Sequence, residues 1–279
     1  MSSTSKNSII FNIAGAGVLL TVAGYIVTSF ITTPAVLPCT QRFPAGHQLS
    51  FDGPGGRAMS AIDLQARFGT RQWGLSKNAE IVKAGGKSTV NSLEVTLAPI
   101  DDDEGTTQNG VGFTWAPQGL EKGTSACLSY SVFLPDGFGF NEPGHMPGLY
   151  GASDVTQIDE LAPSDSFAVR VGWGQAGDSG LDVRIPDSSG YWETPPRKAI
   201  WPTGRWVSVE QEIKLNTPDQ ADGYVRLWID GALTINRGSI ILRKSAQSGL
   251  SGVVSDIRYA RTVSKLAKIR VSPFVLQWQ

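Results

Sequence analysis

The sequence predicts an all-β fold, a β-sandwich or jelly roll, behind one N-terminal transmembrane helix. Three observations carry that expectation. Apolar residues recur with period two in segment after segment, the signature of half-buried strands. Clusters of Gly, Pro, Asp and Asn separate these segments, and 32 glycines in 279 residues provide the turns. A single uncharged apolar run lies near the amino terminus, unlike anything after it.

That run, residues 9–31 (IIFNIAGAGVLLTVAGYIVTSFI), holds no charge. As a helix it spans a hydrocarbon core of about 30 Å. It exceeds the apolar core usual for a signal peptide. Residues 1–31 are therefore expected to be a short cytoplasmic stub and a membrane anchor, with a long cleaved signal peptide as the alternative. Both readings place the rest of the chain outside the cytoplasm. Residues 32–58, with several prolines and the run FDGPGGR, read as a linker and turn-rich lead-in. Residues 59–279 read as the β-domain. Only 60–68, SAIDLQARF, reads as helical.

The strands follow in order. SLEVTLAPI alternates Leu93, Val95 and Leu97 against Ser92, Glu94 and Thr96. CLSYSVFLPDG alternates Leu128, Tyr130, Val132 and Leu134 against Ser129, Ser131 and Phe133. SFAVRVGW sets Phe167, Val169, Val171 and Trp173 against Ala168, Arg170 and Gly172. LDVRIPD sets Leu181, Val183 and Ile185 against Asp182 and Arg184. WVSVEQEIKLN and GYVRLWIDG repeat the pattern, and AKIRVSPFVLQWQ closes the chain in the same style. Between the second and third of these lies FGFNEPGHMPGLYGA, residues 138–152, which reads as a turn-rich loop around His145.

Net charge is −1 with only 18% charged residues, which argues against a nucleic-acid partner held by a basic surface. His47 and His145 are the only imidazoles, and nothing suggests a metal site. Cys39 and Cys127 could pair in an oxidising compartment or remain free thiols. The eight tryptophans either fill a sandwich core or stack against sugars.

At LSYSVFLPDGFGFNEPGHMPGLYG the sequence resembles polysaccharide lyase family 14, whose loop reads roughly G-G-K-L-P-G-L-x-G. Further landmarks follow in order: FAVRVGW, WPTGRWVSVEQEIKLNTPDQADG, LWIDG and VSPFVLQW. The resemblance covers roughly residues 45–279. It implies a concanavalin-like jelly roll with a groove for an anionic polysaccharide. It also implies β-elimination on uronic-acid polymers, with no metal or cofactor. The family's catalytic lysine falls on His145. Its Ser-x-Arg falls on Ala168-Val169-Arg170, so the arginine is kept. Its Tyr-x-Tyr falls on Asp182-Val183-Arg184.

Two assignments follow from the resemblance and the polar faces together. His145 and Arg170 are the catalytic candidates, the imidazole as base or acid and the guanidinium beside the uronate carboxylate. Arg184, Asp182, Tyr224, Arg226 and Trp228 are the substrate-binding candidates, with Tyr224 or Tyr191 able to supply a phenol. Against this stands a plain salt-bridge set of Arg170, Arg184 and Asp182 on one exposed face. A glycan-binding module without chemistry and a structural domain of a surface assembly are the competing functions.

Overall fold

The computed structural model describes residues 36–68, 72–85, 88–97, 109–152, 165–186, 188–261 and 265–279. The expected anchor, 9–31, lies outside the described residues. Among the described residues, no helix is long and apolar enough to cross a membrane.

Sixteen strands form among the described residues. In chain order they begin β1 (His47–Leu49), β2 (Gln72–Trp73), β3 (Ala79–Gly85), β4 (Ser88–Leu97), β5 (Val111–Trp115), β6 (Ser125–Leu134), β7 (Gly144–Ala152) and β8 (Ser166–Trp173). They continue with β9 (Ser179–Arg184), β10 (Tyr191–Glu193), β11 (Arg205–Lys214), β12 (Gly223–Ile229), β13 (Ala232–Ile240), β14 (Gly252–Tyr259), β15 (Ala267–Val271) and β16 (Phe274–Trp278). One sheet runs β13-β12-β11-β6-β15-β4-β3, with β16 also paired to β6 and β1 to β16; the other runs β10-β9-β8-β7-β14-β5-β2. All pairings are antiparallel, and the two sheets make a β-sandwich. The expected helix is α1 (Ala61–Phe68). Ser60 caps it, its Oγ accepting from Asp63 N at 3.2 Å while Asp63 Oδ2 accepts from Ser60 N at 2.8 Å. Leu64 and Phe68 face inward.

The inward residues are those the period-two pattern selects. Leu128, Val132, Val169, Val171, Leu181 and Val183 are fully buried between the sheets. Trp173 and Trp201 fill the same core, and their Nε1 groups donate to Glu142 O at 3.0 Å and Gly172 O at 2.9 Å. Polar side chains also cross this interior. Gln211 on β11 accepts from Leu149 N and donates to Val169 O, each at 2.9 Å, tying the nine-stranded sheet to the other.

Three expectations are corrected. The closing segment is two strands, because Ser272-Pro273 breaks the ladder and both halves pair with β6. The segment 32–58 is not simply a linker from Pro38 onward. Cys39 is disulfide-bonded to Cys127 (Cα–Cα 5.8 Å), and β1 pairs with β16. The loop around His145 is a strand, β7, with neighbours on both sides. Its glycines and prolines hid it, but Gly148 is required there. A Cβ at that position would overlap Val169 O on β8.

Candidate functional site

The site is built around an irregularity in β7. From His145 to Gly148 the strand takes three residues where β8 takes two, from Gly172 to Arg170. An extra residue reverses the alternation on one side of it. Leu149 and Met146 both face the core, while Gly148 and His145 both face out. Without the bulge, strict alternation from Leu149 would turn His145 inward. The bulge also accommodates Pro147 within a central strand. It is held from below by Tyr130 on β6, whose hydroxyl donates to Pro147 O at 3.0 Å, and by the Gln211 bond to Leu149 N. Complete burial pushes the Tyr130 phenol well above its ordinary range, so it stays a donor.

Around His145, three strands, β8, β9 and β14, contribute charge. Cross-strand pairs set His145 opposite Gly172 and Arg258, Arg170 opposite Asp182, and Asp256 opposite Gly112. His145 Nε2 lies 3.5 Å from Asp182 Oδ2, and its Nδ1 lies 3.9 Å from Asp256 Oδ2. Arg170, 3% exposed, sits between the same two carboxylates. Its Nη1 donates to Asp182 at 3.3 Å and its Nε lies 3.3 Å from Asp256. Arg258 Nε approaches Asp256 Oδ1 at 2.9 Å, and Arg184 Nε approaches Asp182 at 3.5 Å. Burial lowers the pKa of His145 below that of an ordinary histidine. Asp256 and Asp182 oppose that shift, while Arg170 and Arg258 add to it. The imidazole is thus neutral at neutral pH and able to accept a proton. Three guanidiniums against two carboxylates leave the cluster one net positive charge, 3 − 2 = +1, which suits an anionic ligand.

Four of the residues expected from sequence therefore meet on one face: His145, Arg170, Asp182 and Arg184. The salt-bridge set weighed for the latter three is real, and His145 is part of it. Tyr224, Arg226 and Trp228 do not join them. They lie on β12, in the other sheet. Tyr224 donates to Glu212 at 2.7 Å, Arg226 bonds Glu212 and Asn236, and Trp228 is fully buried with Arg42 above its ring. The polar face of β12 was read correctly as polar, but period two cannot say which sheet a strand enters. Tyr191 packs toward the core and pairs with Arg237.

Asp256 and Arg258 were missed. Their signal was present: Asp256-Ile257-Arg258 on β14 repeats the Asp-x-Arg spacing of Asp182-Val183-Arg184 on β9, and the two flank β7 and β8. Among the described residues, the one grouping with metal-ligand spacing is Cys39, Cys127 and Glu210, whose sulfurs are joined to each other.

The two-sheet antiparallel sandwich is like that of solved alginate lyases. The PL-14 alginate lyase from Aplysia kurodai superimposes with a TM-score of 0.69 at 17% identity, over 85% of this chain and 100% of that one. A variant of the alginate lyase Aly36B in complex with an alginate trisaccharide gives 0.63 at 18% identity, over 85% and 99%. The endo-β-1,4-glucuronan lyase from the fungus Trichoderma reesei gives 0.55 at 12% identity, over 85% and 96%. Comparison with curated proteins yields no match. The sequence matches the family Polysaccharide lyase 14 over residues 87–259, and the chain belongs to that family.

Proposed function

We propose that this chain is a lyase that cleaves a uronic-acid polysaccharide by metal-independent β-elimination on the His145 face. One observation carries the reading: a neutral, 13%-exposed imidazole flanked by two carboxylates and three arginines. Arg184 and Arg258, the more exposed guanidiniums, hold the C5 carboxylate and stabilise the charge that develops on it. His145 takes the C5 proton. The electrons of the C5–H bond form the C4=C5 double bond as the C4–O4 bond breaks. The imidazolium, stabilised by Asp182 and Asp256, returns the proton to the departing O4. Arg170 is a positioning residue in this scheme, because both carboxylates already engage it. The uronate ligand class also fits the relatives, one of which binds an alginate trisaccharide.

A second reading is favoured by a specific observation. The phenols of Tyr191, Tyr224 and Tyr259 are committed elsewhere, so His145 would have to serve as both base and acid. If it does not, the face binds uronate chains without cutting them. Incubating the full chain with a panel of uronic-acid polymers decides the matter. Elimination raises ultraviolet absorbance from unsaturated ends, and His145→Ala abolishes the rise. Binding without absorbance would leave the module, and neither would sink both.

The same proposal places the unit from Pro38 outside the cytoplasm, held at a membrane by residues 9–31. The Cys39–Cys127 bond, at home in an oxidising compartment, supports it. External protease should remove the C-terminal unit from intact cells, and protection of that unit would overturn the orientation.

A further inference from the structure

We propose that Trp192 and Arg261 form a second sugar subsite, for the uronate unit next to the one at His145 on the same polysaccharide chain. This rests on the reading of the His145 face as a uronic-acid site and extends it. Trp192 lies on the edge strand β10, opposite Asp182. Its ring rests against the backbone of two neighbouring strands at glycines. A Cβ at Gly180 would overlap the indole, and one at Gly172 would come within 3.1 Å of it. Gly172 is the cross-strand partner of His145. With strands about 4.8 Å apart, the indole lies within one or two strand spacings of the imidazole.

Trp192 also differs from the core tryptophans. Trp173 and Trp201 are buried and hydrogen-bonded, whereas Trp192 is only half-buried and faces outward. Two strands give up their side chains to seat an indole whose other parts meet solvent. That arrangement suits the apolar face of a pyranose ring.

The ladder carrying His145 leads straight to a cleft beside this indole. His145 pairs with Arg258, Gly144 with Tyr259, and Ala260 N then donates to Pro143 O at 2.8 Å. Pro143 and Ala260 are walls of a cleft of about 490 Å³, together with Trp192, Gln175, Asp178 and Arg261. Its size suits a single sugar unit. Gln175 and Asp178 offer hydrogen bonds to hydroxyls, and the exposed Arg261 offers its guanidinium to the carboxylate.

The test measures binding without turnover, in full-length His145→Ala protein, by calorimetry with a saturated tetra-uronate and a neutral tetrasaccharide. Adding Trp192→Ala should weaken the tetra-uronate about tenfold, while Trp192→Phe should retain most of the affinity. Adding Arg261→Ala should weaken the tetra-uronate and leave the neutral sugar unchanged. Should Trp192→Ala unfold, the Arg261 discrimination between charged and neutral sugar decides. Unchanged tetra-uronate affinity in both variants would overturn the subsite and leave the His145 reading standing. A parent protein that binds no uronate would take down both.

Discussion

Each outer face of the sandwich has a fully buried carboxylate among arginines, Glu212 on one and Asp256 on the other, and they treat it in opposite ways. On the nine-stranded sheet Glu212 is fully buried. Tyr224 donates to its Oε1 at 2.7 Å, and Arg42 and Arg226 both bond its Oε2. Thr40 donates twice to neighbouring Glu210, each time at 3.0 Å, and the Cys39–Cys127 bond fastens the covering segment down. On the seven-stranded sheet Asp256 is equally buried, with Arg170, Arg258 and His145 between 2.9 and 3.9 Å away. Yet both Asp256 oxygens, Arg170 Nε, Arg258 Nε and His145 Nδ1 lack a hydrogen-bond partner among the described residues. A buried charge whose hydrogen bonds are all made fixes structure. One held by proximity alone retains bonding capacity that a ligand can use. The contrast supports the proposed working face on grounds separate from the resemblance.

The largest effect should come from unfastening the structural face. The disulfide closes a sequence separation of 88 residues, so Cys39→Ser with Cys127→Ser should cost about 4 kcal/mol in denaturant unfolding. Uronate binding at the opposite face should survive. Its loss in unstressed protein would mean that the two faces are coupled and the comparison too simple. Next come the carboxylates themselves. Glu212→Gln removes a hydrogen-bonded buried ion and should cost about 3 kcal/mol. Asp256→Asn should cost about 1 kcal/mol, because its contacts offset its desolvation less well, yet it should remove uronate cleavage. Equal costs for the two would break the distinction.

A smaller change probes what aims the working face. Tyr130→Phe deletes the donor to Pro147 O and leaves a buried carbonyl without it, for about 1–2 kcal/mol of stability. If the bulge depends on that bond, the His145 imidazole resonance should move as well. Only His47 and His145 contribute such signals, so assignment is direct. A stability loss with an unmoved His145 signal would assign Tyr130 to packing alone.

These residues mark how far the sequence could be read. Strands such as β6, β8 and β9 were legible because their alternation is unbroken, and with them the placement of Arg170, Asp182 and Arg184 on one face. β7 was not, since Pro147, four glycines in residues 138–152 and a bulge erase period two where the site is made. Tyr224, Arg226 and Trp228 were legible as a polar face but not as belonging to the other sheet. Sheet membership is fixed by long-range pairing, β12 with β11 and β13, which local periodicity does not encode. The role of Gln211 was equally invisible, as a lone inward glutamine acquires partners only when two sheets meet.

The finest test uses pH. Burial depresses His145 in the folded protein, so between its folded pKa and the ordinary value near 6.5 the unfolded chain binds the proton more readily. The corresponding stability is complete above about pH 6.5 and is lost as pH falls through the folded pKa, with a slope no steeper than about 1.4 kcal/mol per pH unit. His145→Gln should remove that slope. The carboxylates with lowered pKa values, Glu94 and Asp165 among them, act only at more acid pH, below about 4.5. On the structural face, Tyr224 is pushed up by burial and by Glu212, so its phenol should not respond near neutrality. Cleavage, needing the neutral imidazole, should rise with pH to a midpoint below 6.5 and then level. A midpoint above 6.5 would mean that Asp182 and Asp256 outweigh burial, and a rate that falls rather than rises through it would make the resting imidazole the acid rather than the base.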